Sequence, residues 1–291
     1  MKIILFSRSR VSHDVGELRK LFTEIELRGY QYCINEEFAP ILESMLGLHL
    51  ESADIYSGDV GDQPHDAVMI CYGGDGTLLE GVRRLGGRSN VVVGINSGRL
   101  GFLTCVSRSN IGALFNDLER GALRIEERSM IAVSGEFSNG ERLSAANEVT
   151  VMRHGASIIT VELSVDGEAV ATYYGDGVIV ATPTGSTAYS LSAGGPIVSP
   201  DCGCWVVTPI APHNVSMRPI LLPDSCHIEL KVHMREGDAS ITVDNQTFNI
   251  GESANVELER SSSNFYLGLD SNISFYETLK SKMMWGIDPR G

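Results

Sequence analysis

Residues 73–77 read Gly-Gly-Asp-Gly-Thr and stand between an apolar run and a helical pattern, which makes them the strongest candidates for chemistry in this sequence. Glycines allow a backbone to approach a ligand closely, and the free amides at the start of a helix bind phosphate. Asp75 is unexpected there, because a carboxylate repels a phosphate. We therefore expect Asp75 to bind a metal or to accept a proton from an attacking hydroxyl group.

A tight turn with a helix cap is the alternative explanation of the same residues. Thr77 and Glu80 have the spacing of a capping box, in which the threonine caps the helix and the glutamate pairs back to it. With Thr77 as the cap, Asp75 is not needed for that role. The sequence therefore favours a chemical role for Asp75 over a structural one.

A second polar region follows Gly175-Asp176-Gly177 and a short apolar strand at 178–181. The segment 182–196 holds six serine and threonine residues and three glycines within fifteen positions. Loops in antiparallel domains are usually shorter, and long ones are often functional. We predict a ligand contact here, with an ordinary loop as the alternative.

Two further polar segments are ambiguous when they are taken singly. Asn147 and Glu148 enter an apolar strand, where polar residues most often form a solvated edge. Residues 94–102 (Gly-Ile-Asn-Ser-Gly-Arg-Leu-Gly-Phe) form another glycine-rich segment after a strand, and a simple turn would explain them equally well. Neither segment establishes a site alone.

The distribution of charge and cysteine excludes several classes of protein. The net charge is −14, whereas nucleic acids and anionic membranes require a basic footprint, so we predict neither as a partner. Lysine is absent between Lys20 and Lys231, which excludes a P-loop with its invariant lysine. Of the six scattered cysteines, only Cys202 and Cys204 are close, and they lack a second pair for zinc. We expect buried thiols and no metal held by protein side chains alone.

The elements that must position these residues change type near residue 125. Before it, apolar runs at 2–6, 67–72 and 91–95 alternate with helical patterns at 13–29, 78–85 and 111–120. This alternation predicts an α/β domain with a parallel sheet over 1–125, with ligands at the strand ends. After it, short alternating strands and turns such as Asn139-Gly140 and Asp244-Asn245 predict an all-β domain over 126–270, antiparallel and sandwich-like.

The end of the chain and its beginning carry weaker signals. Residues 271–291 predict a helical tail, capped by Asn272, which we expect to pack back on the first domain. No apolar stretch approaches the roughly 18 residues of a membrane-spanning helix. The apolar run at 2–6 is too short for a signal peptide, and we therefore expect a cytoplasmic protein.

Taken together, the segments at 73–77, 147–148, 176–177 and 182–196 resemble those of the NAD kinases, over most of the chain from Ala67 to Gln246. The first segment alone is shared with diacylglycerol and sphingosine kinases, and the combination is more specific. The resemblance implies a kinase that moves the γ-phosphoryl group of ATP to the adenosine-ribose 2′-hydroxyl of NAD and produces NADP. It also implies NAD and ATP as ligands, Mg²⁺ that arrives with ATP, and a homodimer or homotetramer.

The resemblance also implies roles for individual residues, with Asp75 as the proton acceptor. The residues implied at the phosphates of ATP are Gly73, Gly74, Gly76 and Thr77. The residues implied to contact NAD are Asp75, Gly76, Asn147, Glu148, Asp176, Thr187, Ala188, Tyr189, Ser192, Ala211 and Gln246. The sequence departs from the family pattern at Tyr174, where a basic residue is common, and at Asn245, where glycine is common.

Two other functions share some of these features. A lipid kinase would use the same Asp75 on a lipid hydroxyl, but the acidic balance and the Asn147-Glu148 pair count against it, because a membrane-facing surface is usually basic. A dinucleotide-binding sensor without catalysis would not favour a carboxylate beside phosphates. Formation of NADP from ATP and NAD distinguishes the three.

Overall fold

The computed structural model describes residues 1–98, 101–138 and 140–286, apart from the side chain of Arg108. Arg99 and Leu100 of the glycine-rich segment, Asn139 of a predicted turn and the last residues of the predicted tail lie outside the described residues. The chain forms two compact units. The first comprises Met1–Glu127 and the chain from Phe265 onward, and the second comprises Arg128–Asn264.

Strands and helices alternate through the first part of the chain. In order, they are β1 (Lys2–Phe6), α1 (Val15–Leu27), β2 (Gln31–Asn35), α2 (Ala39–Leu46), β3 (Ile55–Tyr56), β4 (Val68–Tyr72), α3 (Asp75–Arg84), β5 (Val91–Asn96), β6 (Val106–Ser107), α4 (Ile111–Arg120) and β7 (Arg124–Arg128). Short 3-10 helices span Ser52–Asp54 and Arg108–Asn110. The strands predicted at 2–6, 67–72 and 91–95 and the helix at 111–120 are confirmed to within one residue.

The second unit consists almost wholly of β-strands. They are β8 (Ile131–Gly135), β9 (Leu143–Ala145), β10 (Glu148–Arg153), β11 (Ile159–Val165), β12 (Glu168–Gly175), β13 (Gly177–Ala181), β14 (Cys204–Ile210), β15 (Ile220–Pro223), β16 (Ile228–Met234), β17 (Ala239–Val243), β18 (Gln246–Ile250) and β19 (Ser253–Arg260). A short α5 (Tyr189–Ser192) follows a 3-10 helix at Thr184–Thr187, and another 3-10 helix spans Glu136–Ser138.

The last part of the chain belongs to the first unit, with β20 (Phe265–Leu269) and α6 (Phe275–Met283). We predicted that the second domain extends to residue 270. Instead β20 pairs in parallel with β5, and Tyr266 lies opposite Val91. The strand is buried along most of its length, which is typical of an interior strand of a parallel sheet. The predicted boundary at 270 is therefore too late, and the second unit ends at Asn264.

The start of α6 also differs from the prediction. Its N-cap is Ser274, whose side chain accepts a hydrogen bond from the amide of Glu277. The side chain of Glu277 in turn accepts from the amide of Ser274, which completes a capping box. Asn272, the predicted cap, lies two residues before this N-cap.

The strand order of the first unit determines where its loops meet. The order is β3-β2-β1-β4-β5-β20-β7, with β6 beside β5, and the pairs from β3 to β20 are parallel. The order reverses between β1 and β4. Such sheets bind ligands at the carboxyl ends of the strands beside this reversal. The segments that follow β1 and β4 begin at that position, and the second of them contains Asp75.

The twelve described strands of the second unit form two antiparallel sheets of six. Their orders are β15-β14-β13-β10-β17-β18 and β12-β11-β16-β19-β8-β9. Buried side chains of both sheets form one apolar cluster, in which Trp205 is fully buried. The prediction of an α/β domain with a parallel sheet followed by an all-β, sandwich-like domain is confirmed.

The composition predicts buried thiols and no membrane-spanning helix. Cys33, Cys71, Cys105 and Cys226 are buried free thiols, as predicted. Cys204 is half-buried and Cys202 is exposed, so the prediction was wrong for these two, which lie at and before the start of β14. None of the helices in the described part of the chain is both long and apolar enough to cross a membrane.

Candidate active site

The segment 73–77 connects β4 to α3 at the carboxyl edge of the parallel sheet. The amide of Gly73 donates to the carbonyl oxygen of Ile95 over 2.9 Å, which ties the segment to β5. A Cβ on Gly73 would lie 2.5 Å from Oγ1 of Thr77. Packing therefore requires glycine at position 73.

Helix α3 begins at Asp75, about three residues earlier than predicted, and Gly74 is its N-cap without any side-chain cap. Thr77 therefore lies inside the helix and cannot be its cap. The carboxylate of Glu80 pairs with Arg83 and Arg84. The predicted capping box of Thr77 and Glu80 was wrong, and Asp75 does not cap its own helix either.

Only some amides of this segment are available to a phosphate. Those of Gly73 and Thr77 already donate to backbone carbonyl oxygens over 2.9 Å. Those of Gly74, Asp75 and Gly76 have no acceptor within the described residues, as is usual for the first amides of a helix. Of the four residues predicted at the phosphates, Gly74 and Gly76 have an amide without a described acceptor, whereas the amides of Gly73 and Thr77 are engaged.

The carboxylate of Asp75 accepts four hydrogen bonds from the segment after β5. Oδ1 accepts from the amides of Leu103 (3.1 Å) and Thr104 (2.9 Å) and from Oγ1 of Thr104 (2.8 Å). Oδ2 accepts from the amide of Phe102 (2.7 Å). A carboxylate offers about four acceptor positions, two on each oxygen. Oδ1 is therefore saturated, while Oδ2 has one position that no described residue occupies.

Two glycines make this arrangement sterically possible. A Cβ on Gly101 would lie 1.8 Å from Oδ1 of Asp75, and a Cβ on Gly94 would lie 2.6 Å from Cγ2 of Thr104. Nδ2 of Asn96 donates to Oγ1 of Thr104 over 2.8 Å, and that hydroxyl donates its own hydrogen to Asp75. The segment 94–102, which was ambiguous in the sequence, supports Asp75 through its described residues.

Arg8 was not identified from the sequence, and it lies beside the glycine segment. Strands β1 and β4 are neighbours, and Oγ of Ser7 donates to the carbonyl oxygen of Tyr72 over 2.7 Å. Nη1 of Arg8 lies 3.7 Å from the position that a Cβ on Gly76 would take. The guanidinium has no hydrogen bond or ion pair with another described residue. Its position two residues after a buried strand was the signal that could have identified it.

In the second unit, Asp244 holds the backbone at the start of β10. Its Oδ1 accepts from the amides of Asn147 (2.8 Å) and Glu148 (3.1 Å), and its Oδ2 accepts from the amide of Ala146 (2.7 Å). The amide of Asp244 donates to the carbonyl oxygen of Glu148 over 2.9 Å. Asn147 is only 9% exposed, so this pair is not a solvated strand edge.

Two polar atoms of the pair are buried without a hydrogen-bond partner among the described residues, Oδ1 of Asn147 and Oε2 of Glu148. Buried polar atoms are nearly always paired, so these two neighbouring atoms are candidates for pairing with a ligand. Burial, and after it the charge of Asp244, raises the pKa of Glu148 to about 8. Burial also raises the pKa of Asp244 to about 6, against the three backbone amides that lower it.

Several hydroxyl groups of the segment 182–196 hold the segment itself. Thr182 donates to the carbonyl oxygen of Ala146 (2.6 Å), and Ser186 donates to a carbonyl oxygen within the segment (2.7 Å). Ser190 pairs with Thr208 (2.8 Å). These side chains are buried, so they fix the backbone and are not free to contact a ligand.

The four residues of this segment that were predicted to contact NAD lie on its less buried side. Thr187 and Ala188 are half-buried, and Tyr189 and Ser192 are exposed. The hydroxyl of Tyr189 lies 3.7 Å from Sδ of Met152 on β10. A Cβ on Gly185 would lie 2.1 Å from the carbonyl oxygen of Asn147. The segment therefore passes directly beside Asn147.

The predicted NAD contacts of the second unit fall at two opposite ends of the same strands. Residues 147–148 begin β10 at the end of β13, and Gln246 begins β18 after the turn at Asp244. Asp176 precedes β13 and Ala211 follows β14, at the other end. The five residues of β13, at ~3.3 Å each, separate the two ends by roughly 16 Å. The structure brings Asn147, Glu148 and Gln246 together and leaves Asp176 and Ala211 apart from them.

The end of the strands with Asp176 and Ala211 has features of its own. Oδ1 of Asp176 accepts a hydrogen bond from Nε of Arg153 over 2.8 Å. Arg153 therefore supplies a cation at this end, where Tyr174 stands in place of the basic residue of the family pattern. Ala211 has φ +42°, in the left-handed region that costs a residue other than glycine about 1 kcal/mol or more. Strain of this kind is most common at functional sites.

A carboxylate beside helix amides at the reversal of a parallel sheet is an arrangement that can bind a phosphate-containing ligand and accept a proton from it. Residues 61–123 match the sequence profile of the ATP-NAD kinase N-terminal domain, and residues 146–268 match that of the ATP-NAD kinase C-terminal domain. The NAD kinase of Cytophaga hutchinsonii is 35% identical over 294 residues, which cover 100% of both chains. That of Porphyromonas gingivalis is 36% identical over 288 residues, 98% of both chains. The chain therefore belongs to the ATP-NAD kinase family.

Two solved structures share the fold. A yeast NADH kinase complexed with NADH is 21% identical, with a TM-score of 0.86 over 99% of this chain and 89% of that chain. An NAD kinase from Archaeoglobus fulgidus in complex with ATP is 25% identical, with a TM-score of 0.73 over 98% of this chain and 99% of that chain. The prediction of a transferase that phosphorylates NAD with ATP is confirmed by the family, and the lipid-kinase and sensor alternatives are set aside.

Proposed function

We propose that Asp75 is the proton acceptor of the reaction and that its Oδ2 is the atom that takes the proton. The observation that carries this proposal is an acceptor position of Oδ2 that no described residue occupies, on a carboxylate otherwise fixed by residues 102–104. The 2′-oxygen of the adenosine ribose forms a bond to the γ-phosphorus of ATP, and the bond to the bridging oxygen of ADP breaks. The proton of the 2′-hydroxyl passes to Oδ2. The products are NADP and ADP.

The triphosphate of ATP would lie against the amides of Gly74, Asp75 and Gly76, with the guanidinium of Arg8 beside them. These amides at the start of α3 have no acceptor among the described residues, and the helix dipole favours an anion there. Arg8 has no other described partner, and arginine forms paired hydrogen bonds with phosphate oxygens. This arrangement replaces the lysine that a P-loop would supply.

A kinase of this kind uses a divalent metal with its nucleotide, and we propose Mg²⁺ for this role. No three His, Cys, Asp or Glu side chains of the described residues are grouped to hold a metal ion. The residues therefore fit an ion that is bound mainly by phosphate oxygens and water, which is the usual mode for Mg²⁺. When bound, the ion neutralises charge on the transferred group.

For NAD we propose that Asn147 and Glu148 are the principal contacts, with Gln246 beside them. Further contacts come from Thr187, Ala188, Tyr189 and Ser192, on the less buried side of the segment that passes Asn147 and reaches Met152. The unpaired Oδ1 of Asn147 and Oε2 of Glu148 support this, because a polar substrate would satisfy both. Asp75 and Gly76 stay proposed contacts of the same substrate. Asp176 and Ala211, at the opposite strand end, stay predicted contacts of a more distant part of the dinucleotide.

We further propose a homodimer or homotetramer built through the second unit. The edge strand β15 exposes Ile220 and Leu221, and the edge strand β12 exposes Val170 and Tyr174. Exposed apolar side chains on sheet edges favour pairing with another chain. Light scattering at micromolar concentration should give a multiple of 31.5 kDa, and a single-chain mass would contradict the assembly. The cytoplasmic location stays a prediction from the sequence.

The reaction is tested by mixing the purified protein with ATP, Mg²⁺ and NAD and measuring NADP with an NADP-specific dehydrogenase. We expect NADP to accumulate with ADP in equal amounts and to require the metal, so that a chelator stops the reaction. A protein that forms no NADP but phosphorylates a lipid alcohol would contradict the proposed function.

A further inference from the structure

The proton balance of the two carboxyl groups at the start of β10 follows from their contacts. The carboxylate of Asp244 accepts three backbone amides, whereas Oε2 of Glu148 has no partner within the described residues. Hydrogen bonds from amides stabilise the ionised form of an acid, and burial without a partner stabilises the neutral form. Two neighbouring carboxyl groups do not readily ionise together. The negative charge therefore resides on Asp244, and the proton resides on Glu148.

Among the described residues, no cation acts on Glu148 to reverse this order. From β17 and its turn, the charged group that acts on Glu148 is Asp244. From β13 the residue opposite is Ala181, and beyond it the segment 182–196 contributes the hydroxyl of Thr182. Burial and the charge of Asp244 both act in the same direction, and the pKa of Glu148 is raised to about 8.

We propose that Asp244 is a positioning residue for NAD: it fixes the backbone of Asn147 and Glu148, and its charge keeps the Glu148 carboxyl a hydrogen-bond donor toward the substrate. This inference rests on the proposed NAD contact of residues 147–148. NAD carries negative charge on its phosphates, so a neutral acid can approach it where a second carboxylate would repel it. The O–H group of Glu148 then donates to an oxygen or ring nitrogen of the dinucleotide, an atom with a lone pair and no hydrogen.

Asp244 stands in the turn between β17 and β18. Its φ is +50°, a left-handed conformation that aspartate adopts less readily than glycine. The turn to β18 could be made by other residues, but only Asp or Asn at this position offers acceptors to the amides of residues 146–148. This function could not be predicted from the sequence, because an Asp-Asn pair between two strands is an ordinary turn.

The test measures the KM for NAD between pH 6 and pH 9.5 in the wild type and in the variants E148Q, D244N and the double variant. In the wild type, the KM should rise above about pH 8, approaching roughly tenfold per pH unit as Glu148 loses its proton. In E148Q and in the double variant it should be independent of pH over this range, because Gln has no proton to lose. In D244N the rise should begin roughly one pH unit lower, since a like charge has been removed. The KM for ATP, measured in parallel, should not follow this pattern.

The outcomes separate this inference from the proposed function. A wild-type KM for NAD that is flat to pH 9.5, or a rise that persists unchanged in E148Q, would overturn the role of a neutral Glu148. If N147A and E148Q both keep the wild-type KM at every pH, the proposed NAD contact itself is wrong. If D244N does not fold, the pH dependence of the KM for NAD in the wild type and in E148Q still tests whether Glu148 is neutral. E148Q leaves the three amide contacts of Asp244 intact.

Discussion

Asp75 in the first unit and Asp244 in the second unit have the same relation to the backbone. Each carboxylate accepts hydrogen bonds from three consecutive amides, those of residues 102–104 and those of residues 146–148. The two carboxylates differ in the groups that lie beside them apart from these amides. Oδ2 of Asp75 has an acceptor position, and the first amides of α3 have hydrogens, that no described residue takes up. Asp244 instead lies next to a second carboxyl group, that of Glu148.

The difference shows how one structural device can serve two purposes. A fixed carboxylate with an open position can take a proton from a substrate, which suits a general base. A fixed carboxylate beside another acid instead decides which of the two carries a proton. We infer that Asp75 acts on the substrate directly and that Asp244 acts through Glu148.

The largest effect on turnover should come from a side chain placed at Gly101, against the carboxylate of Asp75. In G101A the new Cβ would lie 1.8 Å from Oδ1 of Asp75, so the carboxylate must move. A displacement of about 1 Å at a reacting group costs on the order of 10²-fold in turnover, and we expect at least that loss of kcat. G98A is the matched control, because its nearest neighbour would be Oδ1 of Asn96 at 3.9 Å. Equal activity of the two variants would contradict the close support of Asp75.

The next effect concerns the buried pair in the second unit. N147A removes a buried amide that no described residue satisfies at Oδ1, so the loss should appear in substrate binding. A lost hydrogen bond of this kind costs about 1–3 kcal/mol, which corresponds to a rise of roughly 5- to 150-fold in the KM for NAD. Steady-state kinetics with varied NAD measure it, with the exposed N249A on β18 as the control. A KM that is the same in both variants would place NAD elsewhere.

A smaller effect is expected for the cation beside the glycine segment. R8A should raise the KM for ATP by roughly 5- to 30-fold, because a half-exposed charge contributes about 1–2 kcal/mol to phosphate binding. The exposed R10A, two residues further along, is the matched control and should change little. The KM for ATP of R8A divided by that of R10A should become smaller in high salt, because salt screens the charge of Arg8. If R8A behaves like R10A, the triphosphate does not contact Arg8.

The smallest effect is a change in stability with pH. The pKa of Glu148 is raised from 4.5 to about 8 in the folded protein, so the folded state binds a proton that the unfolded state has lost. This contribution to stability is fully present below pH 4.5 and is lost as the pH rises through 8. Between pH 6.5 and 8 the wild type should therefore lose a few degrees of Tm relative to E148Q. Parallel melting curves that keep a constant separation would contradict the buried, protonated state.

The sequence predicted the elements whose pattern is local. Helix α4 and the strands β1, β4 and β5 were predicted because their apolar spacing matches one period or one short run. The return of β20 to the parallel sheet was missed, because nothing in residues 265–269 distinguishes a parallel partner from an antiparallel one.

In the candidate site too, local features were predicted from the sequence and contacts between distant residues were missed. Asp75 was identified because a carboxylate among glycines is a local conflict with phosphate binding. Its support by residues 102–104 depends on contacts across the sheet. In the sequence, Gly101 was the feature that reflects these contacts, because a side chain there would collide with Asp75. Asp244 and Arg8 were not identified, since one resembles a turn residue and the other a surface charge until the strands are placed side by side.

The most direct test of the contrast is the steady-state kinetics of D75N and D244N, measured side by side with binding of NAD and ATP. D75N should lower kcat by roughly 10²- to 10⁴-fold, while both substrates still bind, because Asn retains an oxygen for the amides of Leu103 and Thr104 but cannot take a proton. D244N at pH 8 should instead raise the KM for NAD and change kcat far less. A D75N protein that turns over near the wild-type rate, or that loses binding in proportion to turnover, would show that Asp75 is only an anchor and would contradict the account.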